Sequence, residues 1–251
     1  MDLGLGGKTA LVTGASQGIG RAIAKALAAE GVKVCIAARR SAELEQLASE
    51  IAAAGGQRPH IVIVDILEKG APQKLLQEAL KALGQIDILV NSAGAGGVRL
   101  PIDTPDDHWE DMMTLNYVRI RQLTHAILPG MIANHWGRII NISGKNEVDG
   151  LLAAAPAKAA IHVWSKGLSR EVGKSGITVN SIAPGRIMSE QIRRKYSAEY
   201  RAEHAARDIP VGRYGEPEEL ATLAVYLASS AASYITGAVI PVDGGLRRYA
   251  F

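Results

Sequence analysis

Residues 9–20 read Thr-Ala-Leu-Val-Thr-Gly-Ala-Ser-Gln-Gly-Ile-Gly, and helical spacing follows directly. A short apolar run of this kind reads as a buried strand (9–14) feeding a helix (18–30). Glycine is the residue that lets a backbone turn tightly and lets a ligand approach it closely. The helix start then offers unbonded N–H groups and the positive end of its dipole. A glycine triplet alone is weak evidence; one between the first strand and the first helix is specific for phosphate binding. Gly14, Ser16, Gln17, Gly18, Ile19 and Gly20 are therefore candidate anion contacts. An ordinary strand-to-helix turn is the plainer alternative.

Working outward, similar units recur. Strands are predicted at 32–38, 60–65, 86–91, 137–143, 177–184 and 238–245, and helices at 41–55, 71–83, 106–135, 153–173 and 216–229. The strands are nearly continuous in apolar residues, as strands covered on both faces are. Alternation of this kind implies one α/β domain over 1–251, a doubly wound parallel sheet of about seven strands with right-handed crossovers. The segment 186–215 has the least regular pattern and is a candidate substrate lid.

Composition agrees. Of 251 residues, 47% are hydrophobic and 21% charged, so a sizeable core is expected and global disorder is not. Only 4% are aromatic while 27 are glycine, which suits close helix–sheet packing better than a β-sandwich. The 28 basic and 25 acidic residues are interleaved, giving +3, with no basic tract for nucleic acid. The single cysteine, Cys35, excludes an internal disulfide or a cysteine zinc cluster, and no metal site is expected. No signal pattern opens the chain and no apolar stretch is long enough for a membrane span, so a soluble cytoplasmic protein is expected.

The second strand ends in Arg39 and Arg40. A site for NAD(H) usually carries an acidic residue there for the ribose 2′-hydroxyl. Guanidinium groups suit a 2′-phosphate instead, favouring NADP(H) over NAD(H). The alternative is a pair of solvated arginines, although cations at a helix start are mildly unfavourable. Asp65 ends the third strand, where a carboxylate can accept from an adenine amino group or simply cap a turn. Asn91, Ala93 and Gly94 follow the fourth strand, where small residues let backbone lie against a cofactor.

With these pieces assembled, the chain resembles the classical short-chain dehydrogenase/reductase family. The resemblance rests on TGASQGIG (13–20), Asp65, NSAG (91–94), Asn116, NSIAPG (180–185) and the ITG and VDGG of the C-terminal region, in the family's order along the whole chain. The run from IPVGRYGEPEEL onward is most similar to the 3-oxoacyl-acyl-carrier-protein reductase branch. The resemblance implies a Rossmann fold, a small-molecule or acyl-thioester substrate with a ketone or 3-oxoacyl carbonyl, and a homotetramer (or dimer). The helices at 106–135 and 153–173 would form one interface, and the C-terminal strand and helix another. It also implies that Lys158 holds the nicotinamide ribose, that Asn116 kinks its helix to hold a water, and that Pro184, Gly185 and Ile187 line the nicotinamide side.

The chain departs from the family at the catalytic centre. The family places a proton-donating tyrosine four residues before its lysine, one helical turn away on the same face. Here that position is Ala154. The family's serine position falls on Gly144, with Ser143 one residue early and so turned to the opposite strand face. A shorter 144–154 loop leaves room for Ser143 to be re-registered as the polarising residue. The candidate catalytic set is Asn116, Ser143 and Lys158. Lys158 is the candidate acid within the site; Lys145, Asp149, Tyr196 and Tyr200 are further candidates better explained as surface residues. His162, one turn after Lys158, reads as core or interface. Arg186, Arg193 and Arg194 would meet an anionic substrate or form a solvated face. Three readings stay open: a divergent enzyme with another proton source, a non-catalytic NADP(H)-binding sensor or structural subunit, and an engineered Tyr→Ala variant, which leaves Gly144 unexplained.

Overall fold

Strand β1 (Thr9–Thr13) is buried at every position. In the computed structural model, which describes residues 2–96, 100–144 and 150–249, six strands join it. They are β2 (Lys33–Ala38), β3 (His60–Ile63), β4 (Ile88–Asn91), β5 (Gly137–Ile142), β6 (Ile177–Pro184) and β7 (Val239–Val242). All pairings are parallel, in the order β3-β2-β1-β4-β5-β6-β7. The chain runs outward from β1 to one edge and then restarts at β4 on the other side. That reversal opens a crevice beyond the carboxyl ends of β1 and β4.

The helices are α1 (Gly18–Ala29), α2 (Ser41–Ala53), α3 (Ala71–Leu83), α4 (Asp106–Met113), α5 (Arg119–Ala133), α6 (Ala154–Val172), α7 (Glu190–Lys195), α8 (Ala198–Asp208) and α9 (Pro217–Ala228). Alternate strand residues serve opposite cores. Ala10, Val12, Val34, Ile36 and Val90 pack with α1, α2 and α9 on one face. Leu11, Cys35, Ala37, Leu89 and Val179 pack with α3 and α5 on the other. Both faces are thus apolar, which explains the unbroken hydrophobic runs. Burial pushes the Cys35 thiol up to about 12, leaving it inert.

The expected single helix over 106–135 is two, joined by a π-helical turn at Thr114–Val118. The side-chain amide of Asn116 donates to the Met112 carbonyl at 3.0 Å and so meets a backbone acceptor at this turn. The segment 186–215 also differs from its irregular pattern. It folds as α7 and α8, each opened by a serine whose hydroxyl accepts a backbone N–H: Ser189 from Ile192 at 3.2 Å and Ser197 from Tyr200 at 3.1 Å. Ala205, Ile209 and Tyr214 form a small separate core beneath it. Tyr196, Tyr200, His204 and Tyr214 make successive ring contacts with centroids 4.9, 6.0 and 5.6 Å apart. Among the described residues no helix is long and apolar enough to cross a membrane.

Leu11 is fully buried in register with Cys35 and Leu89. Leu11→Ala is expected to lower unfolding free energy by about 2–5 kcal/mol, read by urea denaturation. A loss well under about 1 kcal/mol would show that this core collapses around the gap.

Candidate active site

The Thr13 hydroxyl ties the floor of the crevice together. It accepts from the N–H groups of Ser92 and Ala93, each at 3.1 Å, and lies 3.3 Å from the Val90 carbonyl to which it donates. The end of β1 and the loop after β4 are thereby clamped. Gly14 sits in this clamp with φ +67°, and a Cβ there would lie 2.7 Å from Ala93 N and Ser92 O. A Cβ on Gly20 would meet Gly14 O at 2.5 Å. Both positions therefore require glycine. Gln17 makes no side-chain cap and α1 has no acidic residue in its first turn, so its leading N–H groups face the crevice without a side-chain partner.

The crevice has a volume of about 660 Å³ and is lined by the predicted Gly14, Ser16, Gln17, Gly18, Ile19 and Gly20. Arg39, Arg40, Asp65, Ala93, Gly94, Pro184, Gly185 and Ile187 also line it. Sequence reasoning did not foresee that Arg40 Nη2 donates to Ser16 Oγ at 2.9 Å, joining the second strand's end to the glycine loop. Arg39 lies 3.5 Å from the Asp65 carboxylate, whose other oxygen accepts from Leu67 N at 3.0 Å. Asn91 sits below the crevice floor rather than on its wall: its amide donates to Thr124 Oγ1 at 3.1 Å and to Asn141 Oδ1 at 2.8 Å. It holds neighbouring elements together.

At the far end, Lys158, Ser143, Gly144 and Ala154 meet. Lys158 Nζ donates to the Ser143 main-chain carbonyl at 2.8 Å. A Cβ on Gly144 would lie 2.7 Å from Lys158 Cδ, so the lysine stem runs through space that a side chain at 144 would need. Burial pushes the Lys158 ammonium down to about 8. Asn116 approaches from the π turn, its Oδ1 accepting from Ala95 N at 3.1 Å. A Cβ on Gly94 would come within 2.9 Å of that oxygen and 4.0 Å of Lys158 Nζ. Asn116, Gly94 and Lys158 thus form one cluster.

Ser143 is brought to the site, yet its hydroxyl is already engaged. It donates to the Ile182 carbonyl at 3.1 Å and lies 2.6 Å from His162 Nε2. With the hydroxyl proton directed at Ile182, the imidazole carries its proton on Nε2 and donates. That leaves Nδ1 as a bare lone pair, and it has no partner among the described residues. Burial and then the nearby Lys158 charge hold the His162 pKa below its ordinary value, so the ring is neutral at pH 7. His162 is therefore a core residue packed behind the site, bonded to the hydroxyl that the sequence singled out. The i, i+4 spacing to Lys158 was the available signal.

Tyr196 is absent from the crevice lining, and Tyr200 lines a second cavity instead. Lys145 and Asp149 lie outside the described residues. Among the described residues no group of three or more His, Cys, Asp or Glu could hold a metal ion.

A glycine-walled crevice at the switch point of a parallel sheet defines a dinucleotide-binding α/β domain. Residues 14–247 match the family model described as enoyl-(acyl carrier protein) reductase. The chain belongs to that family of short-chain dehydrogenase/reductase enzymes and is an oxidoreductase. It is 38% identical over 247 residues to the 3-oxoacyl-acyl-carrier-protein reductase FabG of Pseudomonas aeruginosa, covering 97% of this chain and 99% of that protein. It is 36% identical to the FabG of Aquifex aeolicus, covering 98% and 100%. Among solved structures, L-sorbose reductase from Gluconobacter frateurii complexed with NADPH and L-sorbose superposes with a TM-score of 0.93 at 31% identity, covering 99% and 100%. An actinorhodin polyketide ketoreductase with NADPH gives 0.90 at 31%, covering 96% and 98%.

Gly14→Ala combines a left-handed backbone angle with a backbone clash. It is expected to cost about 1–3 kcal/mol of stability and to weaken dinucleotide binding, measured by thermal melts and calorimetric titration. Unchanged values in both would refute the cradle.

Proposed function

We propose that the chain is an NADPH-dependent reductase of a ketone or 3-oxoacyl-type carbonyl, and that Lys158 supplies the proton the family takes from tyrosine. The observation that carries this reading is the Lys158 ammonium inside the crevice, its pKa drawn down to about 8, beside the alanine that replaces tyrosine. The FabG relatives and the NADPH-bound structural neighbours support the reaction class and the cofactor.

The residues present fit such a cofactor. Gly14, Gly18 and Gly20 with the start of α1 would hold the pyrophosphate. Arg40, steadied by Ser16, and Arg39 would hold the 2′-phosphate. Asp65 would face the adenine, and Pro184, Gly185 and Ile187 the nicotinamide. When bound, the reduced nicotinamide supplies the hydride. The missing side chain at Gly94 leaves room for Asn116 Oδ1 close to Lys158 Nζ. Lys158 donates a proton from Nζ to the carbonyl oxygen and recovers one from solvent. Without a phenol, this centre is expected to be slower than the family's, since a positioned acid contributes about 10²–10⁴-fold. The proton count holds whether the substrate is a small ketone or an acyl thioester.

One observation favours a second reading, a dinucleotide-binding protein without turnover: Ser143, the remaining hydroxyl at this end, already bonds His162 and Ile182. Turnover separates the two.

The chain is further proposed to self-associate through α5 and α6 in a homotetramer or dimer. Val163 on α6 is 78% exposed. Beside it Trp164 packs against Tyr117 and His125 with centroids 6.3 and 6.0 Å apart. Val163→Asp should reduce the assembly mass in light scattering; an unchanged mass would remove this face from the interface.

NADPH consumption over a panel of ketones, diketones and 3-oxoacyl thioesters tests the main reading. An acid must be protonated to act, and Lys158 is protonated below its pKa of about 8. Reductive kcat/KM should therefore be level below pH 8 and fall by about tenfold per unit above it. Lys158→Met should lose about 10²-fold or more. Unchanged turnover in Lys158→Met, or a flat profile through pH 9, would overturn the assignment.

A further inference from the structure

A second cavity of about 370 Å³ adjoins the crevice, and Gly144, Pro184, Gly185 and Arg186 line both. It therefore opens from the end where Lys158 lies. Gly185 packs so closely on the turn after β7 that a Cβ there would come within 2.6 Å of Asp243 Cα. This contact seats the C-terminal turn, with Arg247 and Arg248, as one wall. The opposite wall is α8, through Tyr200, His204, Arg207 and Asp208.

Four guanidinium groups line this space against two carboxylates. Both carboxylates are occupied within the protein. Asp208 pairs with Arg207 at 2.7 Å, with His204 at 3.6 Å and with Arg248 at 4.0 Å. Asp243 accepts from the N–H groups of Gly245 at 2.9 Å and Arg247 at 3.1 Å. Arg186 and Arg247 are left over. Both are only partly exposed, and neither makes a side-chain hydrogen bond or ion pair among the described residues. A guanidinium held in a concavity without an acceptor is a half-built anion site. The cavity's size falls within the range of about 300–1,000 Å³ typical of small-ligand sites.

We propose that this second cavity binds the anionic end of the substrate through Arg186 and Arg247, so that the chain prefers carbonyl compounds bearing a carboxylate or phosphate. The inference rests on the carbonyl-reductase reading and adds a substrate class to it. A carboxylate would come from a small oxo acid, a phosphate from the phosphopantetheine arm of a carrier-bound acyl group.

Two matched pairs distinguish these sources: acetoacetate against its ethyl ester, and acetoacetyl-phosphopantetheine against acetoacetyl-pantetheine. In one pair the charged member should show a KM lower by about tenfold or more. Arg247→Met should raise that KM by about tenfold while moving the neutral member's far less and leaving the thermal melt in place. Arg247→Lys should recover part of the effect. The second readout needs no turnover: calorimetric titration of inorganic phosphate and of acetoacetate into NADP⁺-saturated protein, repeated with Arg186→Met and Arg247→Met. Binding that these substitutions abolish supports the site. Charge-blind KM values in both pairs overturn it, as does anion binding that both substitutions leave intact. If no carbonyl compound is reduced at all, the reading under Proposed function falls, and the titration alone decides the anion site.

Discussion

The close approach of two backbones at the top of the sheet is the constraint on which the rest depends. Gly14 lies against Ser92 and Ala93, and the Thr13 hydroxyl bonds both of their N–H groups. A Cβ at residue 14 would force β1 and the loop after β4 apart. Their closeness aims the start of α1 across the crevice with its leading N–H groups uncapped. Uncapped donors of that kind, facing a crevice, are well suited to a phosphate. The same closeness brings Gly94, and with it Asn116 and Lys158, over the ends of the central strands.

At the Lys158 end of the crevice, burial acts on two neighbouring bases in the same direction. It lowers the pKa of Lys158 and of His162, and the lysine's charge lowers the imidazole further. A neutral ring behind a charged ammonium avoids placing two cations in one enclosed space. Ser143 separates the two, its main-chain carbonyl turned to Lys158 and its hydroxyl to His162. The residue one would pick as a polariser from its type is, in place, the partition between two titrating groups.

The doubly wound parallel sheet and the glycine crevice were legible because each depends on local pattern: unbroken apolar runs, glycines at fixed offsets, helices between successive strands. The predicted strand 177–184 matches β6 at both ends, while the other strands were overread by one to three residues at one end or both; apolarity runs on after the ladder at Val64 and precedes it at Ile86. The resemblance implied a kink at Asn116, and the π turn at Thr114–Val118 stands there; what spacing alone did not show is that it divides the helix in two. Helices α7 and α8 were hidden by their polarity, although Ser189 and Ser197 stood as caps. Asn91 was read as lining the crevice from its neighbours' roles, whereas its partners, Thr124 and Asn141, lie 33 and 50 residues away. Such long-range pairs, like Arg40 with Ser16, leave no trace in spacing.

The passage of the Lys158 stem across Gly144 makes the two positions share one volume. A Cβ at 144 would lie 2.7 Å from Lys158 Cδ, so a side chain there would displace the outer part of the lysine stem. That stem is flexible, so the displacement is a change of rotamer rather than of backbone. Residue 144 is therefore a setting screw for the lysine: its bulk decides where along the crevice the ammonium comes to rest.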